Sequence, residues 1–524
     1  MPATTRTARL GYLAALLFAL LVLFGAWYLY GRPVPMADVA SATHRLQCAS
    51  YSPFGKDQSP FDQPFTLRPA QMEADLALLA TRFSCVRTYA MNGMQDLPAM
   101  ARKHGLKLIL GAWINAMPAD SEREVQALIA AANANPDVVQ AVIVGNERLL
   151  RKEVNSKYLA SLLNKVRSQV KQTVSYAEVW EYWLKHPVLA EQVDFITLHL
   201  LPYWDNQPAG IDGALQHVQE IRERFDSAFP GKPVLIGETG WPSEGRQRQT
   251  ALPSRVNEAR YIRGFVQMAE AHGWRYNLIE AFDQPWKRQI EGAVGGYWGI
   301  FDADRQDKHV LDGPVSNYPG WLNAWLASAA LVLLLAAISG RAERARRALL
   351  QPSLLALGVL CGGLWVVQAR VISQFLDEWL WAVYLTLLNL LVLLHASLAL
   401  GRPQGWRAAL FARLERHAGH CLLATGFAGA VWMLALVFDA RYRNFPNAAL
   451  LFPALFYLYR PVPTARREAT LLGLLIVAGS LPQLLLEGIG NTQALVWAVI
   501  ALGVAGALWR GLRLSRGSAQ AGRG

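Results

Sequence analysis

Leu10–Tyr30 carries no charged side chain. Seven more apolar runs crowd the C-terminal part of the chain: Trp321–Ser339, Pro352–Ala369, Trp379–Leu400, Cys421–Phe438, Ala448–Tyr459, Ala469–Leu486 and Gln493–Trp509. A helix needs about 20 apolar residues to cross a bilayer core. Backbone polar groups in lipid must pair within the segment, so these runs are expected to be helices. Ala448–Tyr459 is the shortest and holds Pro453. Arg6 and Arg9 precede the first run, and Trp27, Tyr28 and Tyr30 close it like an interfacial belt. A cleaved signal peptide has a shorter core, about 7–15 residues, with a small-residue site close behind. Ala40-Ser41-Ala42 fits such a site but lies too far downstream, so the first run reads as an uncleaved anchor.

The charge is divided unevenly. Only 17% of residues are charged and 53% are hydrophobic, against about 25% charged in a typical soluble chain. Residues 32–318 hold 31 Lys+Arg and 32 Asp+Glu, a net of −1. The remainder holds 20 and 7, so the basic excess of the chain lies among the apolar runs. That placement is a topology signal and not a nucleic-acid footprint. With eight spans, one side carries Arg6, Arg9, Arg341, Arg344, Arg346, Arg347, Arg402, Arg407, Arg413, Arg416, Arg460, Arg466, Arg467, Arg510, Arg513, Arg516 and Arg523. The short loops on the other side carry only Arg370, Arg441 and Arg443. Both termini are then expected in the cytoplasm and residues 32–318 outside; in a bacterial inner membrane that is the periplasm. The expected domains are 1–31 (anchor), 32–318 (extramembrane) and 319–524 (multi-helix). The intramembrane polar residues Asn389, His395, Gln483 and Glu487 are read chiefly as helix packing, with a lipid or glycan path as the rival.

Residues 46–310 alternate β-type runs with amphipathic stretches. The β-runs are Arg45–Tyr51, Ser84–Tyr89, Lys107–Trp113, Val138–Gly145, Thr173–Tyr176, Asp194–His199, Pro233–Gly237 and Tyr276–Ala281. Helical patterns fill the gaps, among them Gln71–Arg82, Ser121–Asn133, Ser156–Val170, Ala214–Phe229 and Arg255–His272. Eight β/α units over roughly 265 residues match a TIM (β/α)8 barrel. A doubly wound sheet is the rival, but no GxGxxG follows the first strand. Chemistry in such a barrel belongs at the C-terminal strand ends. The fourth strand runs into Asn146-Glu147 and the seventh into Glu238, each a carboxylate just past an apolar strand. Two carboxyls flanking a bond are what glycosidic cleavage needs.

The run Gly237–Ser243 reads GETGWPS, and Val144-Gly145-Asn146-Glu147 closes strand four. With Val86-Arg87-Thr88-Tyr89 and Phe282-Asp283 in support, the sequence resembles glycoside hydrolase family 17, the (β/α)8 β-1,3-glucanases and glucanosyltransferases. The resemblance spans about residues 46–310. It implies Glu147 as acid/base, Glu238 as nucleophile of a retaining mechanism, and Asn146 as the group holding the sugar 2-hydroxyl. Plant members commonly have Glu after the Phe-Asp of strand eight; here it is Gln284. The opening Ser50-Tyr51-Ser52-Pro53-Phe54 and the helical tail resemble bacterial membrane-bound members described as β-(1→6)-glucan synthases. That implies cutting a β-1,3-glucan donor and transferring the fragment to a 6-hydroxyl, with β-glucan as donor and acceptor. Membrane lipid and a glucan-synthase partner for the helices complete the expected partners. No cofactor, metal or nucleic acid is expected. A plain β-1,3-glucanase and a glycan-binding or export component remain the alternatives.

Aromatic faces at strand ends suit stacking on sugars. The candidates are Tyr51, Tyr89, Trp113, Trp180, Tyr203, Trp204, Trp241, Trp286 and Trp298. Arg87 and Tyr203 are expected beside Glu238; His199, Glu280 and Lys287 are further cleft candidates. Asp302-Ala303-Asp304 reads as a solvated turn, with no QxxRW to make it a nucleotide-sugar site. Cys48 and Cys85, on adjacent predicted strands, are expected to be buried free thiols.

Overall fold

The computed structural model describes residues 2–39, 44–340, 345–401, 403–439 and 443–521, without the side chains of 2–9, 345–349 and 516–521. Ala40-Ser41-Ala42, Arg341, Arg344, Arg402, Arg441 and Arg523 therefore lie outside the described residues, as do the side chains of Arg6, Arg9, Arg346, Arg347 and Arg516. The chain divides into two compact units. One comprises 34–245 and 250–315; the other comprises 1–33, 246–249 and 316–524.

The first unit is a closed parallel barrel in sequential order. Its strands are β1 (Leu46–Ser50), β2 (Phe83–Arg87), β3 (Lys107–Ala112), β4 (Val139–Asn146), β5 (Thr173–Val179), β6 (Ile196–His199), β7 (Val234–Thr239) and β8 (Arg275–Leu278). They read as near-continuous apolar runs because a parallel strand is covered on both faces; Val142, Val144, Ile196, Leu198 and Ile236 are all fully buried. Helices return the chain after each of the first seven strands. Ser156–Arg167 shows why: Leu159, Leu162, Leu163 and Val166 fall on one face and are all buried. Its start is fixed by Asn155, whose side chain accepts the Tyr158 N–H at 2.8 Å. After β8 no long helix follows. The chain makes short turns at Pro285–Lys287, Arg288–Glu291 and Ala293–Gly296, which leaves that loop free to wall the barrel mouth.

One expectation is overturned here. Cys48 and Cys85 are joined in a disulfide. They stand directly opposite in the β1–β2 register, which brings their Cα atoms to 4.5 Å, within bridging reach. Full-length protein, denatured without reductant, should therefore show two reactive thiols, Cys361 and Cys421. Four would contradict the bridge.

The second unit is helical. Among the described residues seven helices are long and apolar enough to cross a membrane: Leu10–Gly31, Trp321–Ser339, Leu350–Ile372, Leu376–Leu400, Trp406–Phe438, Arg466–Glu487 and Thr492–Ser515. The eighth expected span is the helix Asn447–Tyr459, with 13 residues and Pro453 inside it. At 1.5 Å per residue it covers about 20 Å of a core roughly 30 Å thick. Leu450, Phe452, Tyr457 and, just outside it, Phe445 and Val462 are buried. Irregular backbone at membrane depth is tolerated when protein covers it.

The polar groups expected within these helices are placed as follows. Asn389 donates from Nδ2 to the carbonyls of Leu385 and Ala449. His395 Nε2 lies 2.7 Å from Glu415, which also takes Arg460 at 3.0 Å. Glu487 pairs with Arg246 and accepts from Asn491 Nδ2 at 2.7 Å. Gln483 is fully buried.

Candidate active site

The C-terminal strand ends bring the two carboxylates together. Glu238 belongs to β7 and is 5% exposed. Glu147 follows β4 directly, its N–H donating to the Ala177 carbonyl at 2.8 Å. Its φ is 55°, a left-handed conformation that a side-chain-bearing residue adopts only under constraint. The constraint is Glu178, at the end of β5. Its Oε2 accepts the N–H groups of Leu149 (3.2 Å) and Leu150 (3.1 Å) and the Tyr176 hydroxyl (2.6 Å). That holds the turn behind Glu147 in place.

His199, the last residue of β6, stands between the pair. Its Nδ1 is 3.0 Å from Glu147 Oε1 and 3.5 Å from Glu238 Oε2. One oxygen of each carboxylate and this nitrogen all lie within 4.8 Å of one another. Retaining glycosidases set their carboxyls about 5–5.5 Å apart, inverting ones about 6.5–9.5 Å. The approach of the nearest oxygens to within 4.8 Å lies on the short side of that division. The same three groups have the donor types and closeness to hold a metal ion, as do the exposed Asp307 and His309 with the half-buried Asp312.

Arg87, buried at the end of β2, organises the floor. It donates to the Gly237 carbonyl (2.7 Å) and to Asn146 Oδ1 (2.6 Å), and its guanidinium lies 3.6 Å from Glu238. Asn277 on β8 donates to the same Gly237 carbonyl (2.8 Å) and to Ser50 Oγ, which also accepts the Tyr89 hydroxyl. Gly237 is required by close approach: a Cβ there would collide with Thr197 and press on Arg87.

Charges surround the pair. Burial pushes the Glu147 carboxyl up, but the hydrogen bond and charge of His199, then Arg151 and Arg148, outweigh it and hold it at about 2. Arg151 reaches Glu147 Oε2 at 3.4 Å. Glu280 is 1% exposed; burial raises it to about 7 against the pull of Lys287 at 2.7 Å. Glu291 is also raised, by burial first.

The remaining aromatic candidates divide. Trp113 (37% exposed) lies under the Arg148 guanidinium, and Trp286 is half-buried with its Nε1 donating to Gln284. Tyr203, Trp204 and Trp298 pack together, with Tyr203 and Trp298 almost wholly buried. Tyr51 and Trp241 are fully buried, bonded to Asp75 and to the Leu252 carbonyl. Trp180 packs beneath Arg224 of the helix Ile211–Ala228. Tyr51 and Trp241 thus present no exposed face, while Trp180 is half-buried directly after β5. Arg148, Arg151, Glu178 and Glu291 are not singled out by the sequence. The strand that holds Glu178 extends to Val179, three residues past the predicted end.

A closed (β/α)8 barrel with two close carboxylates on β4 and β7 defines a glycoside-hydrolase class of site. Residues 48–299 match the family model described as the BtgE/BtgC glycoside hydrolase domain. A glucan 1,3-β-glucosidase of Saccharomyces cerevisiae is 26% identical over 272 residues, 46% of this chain and 84% of that protein. A glucan 1,3-β-glucosidase of Candida albicans is 28% identical over 273 residues, 46% of this chain and 85% of that protein. A glycoside hydrolase family 17 β-1,3-glucanosyltransferase structure from Rhizomucor miehei is 27% identical, covering 51% of this chain and 96% of that one at a TM-score of 0.45. The barrel is thus an enzyme domain similar to that glycoside hydrolase model and to the glucan 1,3-β-glucosidases.

Proposed function

We propose that the protein is a membrane-bound β-glucan transglycosylase. It cleaves β-1,3-glucan by retaining double displacement and passes the fragment to a sugar hydroxyl, forming β-1,6 linkages or branches. The observation that carries the retaining chemistry is the pair of carboxylate oxygens within 4.8 Å at the ends of β4 and β7. Glu238 attacks the anomeric carbon while Glu147 protonates the departing oxygen; Glu147 then acts as base for the incoming hydroxyl. Asn146 Oδ1 is engaged by Arg87, so its amide N–H groups are turned to donate to the sugar. The first step needs a protonated Glu147. Burial favours that protonated form, while His199, Arg151 and Arg148 oppose it in the free enzyme. Arg87, 3.6 Å from Glu238, balances its charge.

The β-1,6 outcome, the bacterial inner membrane, the periplasmic barrel and the cytoplasmic termini rest on the sequence resemblance and the arginine asymmetry. Purified full-length protein incubated with a laminari-oligosaccharide should give products longer than the donor, with 6-linked glucose in their NMR spectra. Shorter products alone would mean a hydrolase; longer products with only β-1,3 bonds would mean elongation. Reporter fusions at residue 200 should read outside, and at residue 520 inside.

A further inference from the structure

The connection from β1 to the helix Pro69–Leu79 leaves the catalytic end of the barrel and is held by its own contacts. Gly55 N–H donates to Gln58 Oε1, Gln58 Nε2 to the Thr66 carbonyl, and Ser59 N–H to Asp62. At its outer part sits Phe61, 57% exposed. An exposed large aromatic on an ordered loop is free to meet a ligand at little ordering cost. Phe61 meets Trp286 edge to face, with centroids 5.9 Å apart. Trp286 is fixed in turn: Phe54 packs on it at 5.8 Å, its Nε1 is bound to Gln284, and Gln284 Nε2 donates to the Ser52 carbonyl. The Lys287 ammonium lies 5.9 Å from the Trp286 ring and pairs with Glu280. An aromatic strip thus leads outward from the catalytic floor.

We propose that Phe61, braced by the Trp286 ring it meets, forms a glycone-side platform that stacks on a donor glucose beyond the residue that Glu238 attacks. The side follows from topology. The leaving group departs towards Glu147 on β4, and β8 and β1 succeed β7 around the barrel in the other direction. The strip follows those two strands, where the retained part of the donor lies. The proposal rests on the reading of the barrel as a β-1,3-glucan-cleaving enzyme. A grip on the retained fragment also favours transfer, since it keeps the glycosyl-enzyme seated while an acceptor replaces the leaving group.

The test is kcat/KM of full-length protein with laminari-oligosaccharides of increasing length. Phe61→Ala should lose about tenfold with long donors, the scale of one aromatic contact, and progressively less as donors shorten. Phe61→Tyr should restore most of the loss. A loss that is equal at every length, or no loss with the longest donor, overturns the platform while wild-type turnover keeps the underlying reading. If the wild type turns over none of these donors, the underlying reading fails and the platform with it.

Discussion

Glu238→Gln is expected to lose transfer and hydrolysis together, by on the order of 10⁴-fold or more in kcat, the scale seen when a nucleophile is removed from a catalytic unit. The amide cannot form the glycosyl-enzyme. Gln fills the same volume beside Arg87 and His199, so the barrel should stay folded. Glu147→Gln should behave differently. Ordinary glucans, which need a proton on the leaving oxygen, should react slowly. An activated aryl glycoside needs little protonation, so its first step should survive better. Azide should then partly restore turnover and give a β-glycosyl azide, because a small anion needs no general base. Near-normal turnover in Glu238→Gln, or an α-azide from Glu147→Gln, would reverse the assignment of roles.

The second large effect concerns stability. The Lys308 side chain is 1% exposed and donates to Ser243 Oγ (2.9 Å), Asp283 (3.1 Å) and Glu258 (3.2 Å). It ties the loop after β7, the residues after β8 and the helix Arg255–Ala271 to one point. Lys308→Met should destabilise the barrel by about 3–5 kcal/mol, the usual result of stripping the cation from a buried pair. Adding Glu258→Gln should recover part of the loss. The same cluster sets a pH dependence. Burial, the largest influence, raises Asp283 to about 6 and Glu258 to about 8, against the opposing pull of Lys308. A carboxyl raised on folding holds its proton in the folded state where the unfolded state has lost it, so stability falls as pH rises through that window. The Tm of the barrel transition should therefore decline from pH 5 to pH 8, and more steeply in Lys308→Met. A flat profile, or a silent Lys308→Met, would contradict this account.

The barrel was legible in the sequence because parallel strands buried on both faces are nearly continuous apolar runs, and the amphipathic helices between them keep a clean period. Glu147 and Glu238 stood out because each is a charge directly after such a run. What the sequence hides is register and side-chain partnership. Cys48 and Cys85 are 37 residues apart; only the β1–β2 register puts them opposite. Tyr51 and Trp241 end strands, as a sugar platform would, yet Asp75 and the Leu252 carbonyl draw their polar atoms into the packing. Lys308 lies in a polar turn-rich stretch, where nothing local distinguishes a buried ammonium from a solvated one. Asn447–Tyr459 has the composition of a span without the length, and the cover its buried side chains find is not written in that segment.

Trapping the intermediate tests the central claim most directly. Full-length protein treated with a 2-deoxy-2-fluoro-β-laminaribiosyl fluoride should stall as a covalent adduct. Peptide mapping by mass spectrometry should place the sugar on Glu238, within the Gly237–Ser243 run. An adduct on another carboxylate would overturn the assignment. No adduct, together with inverted configuration in the product of an ordinary donor, would contradict the retaining mechanism itself.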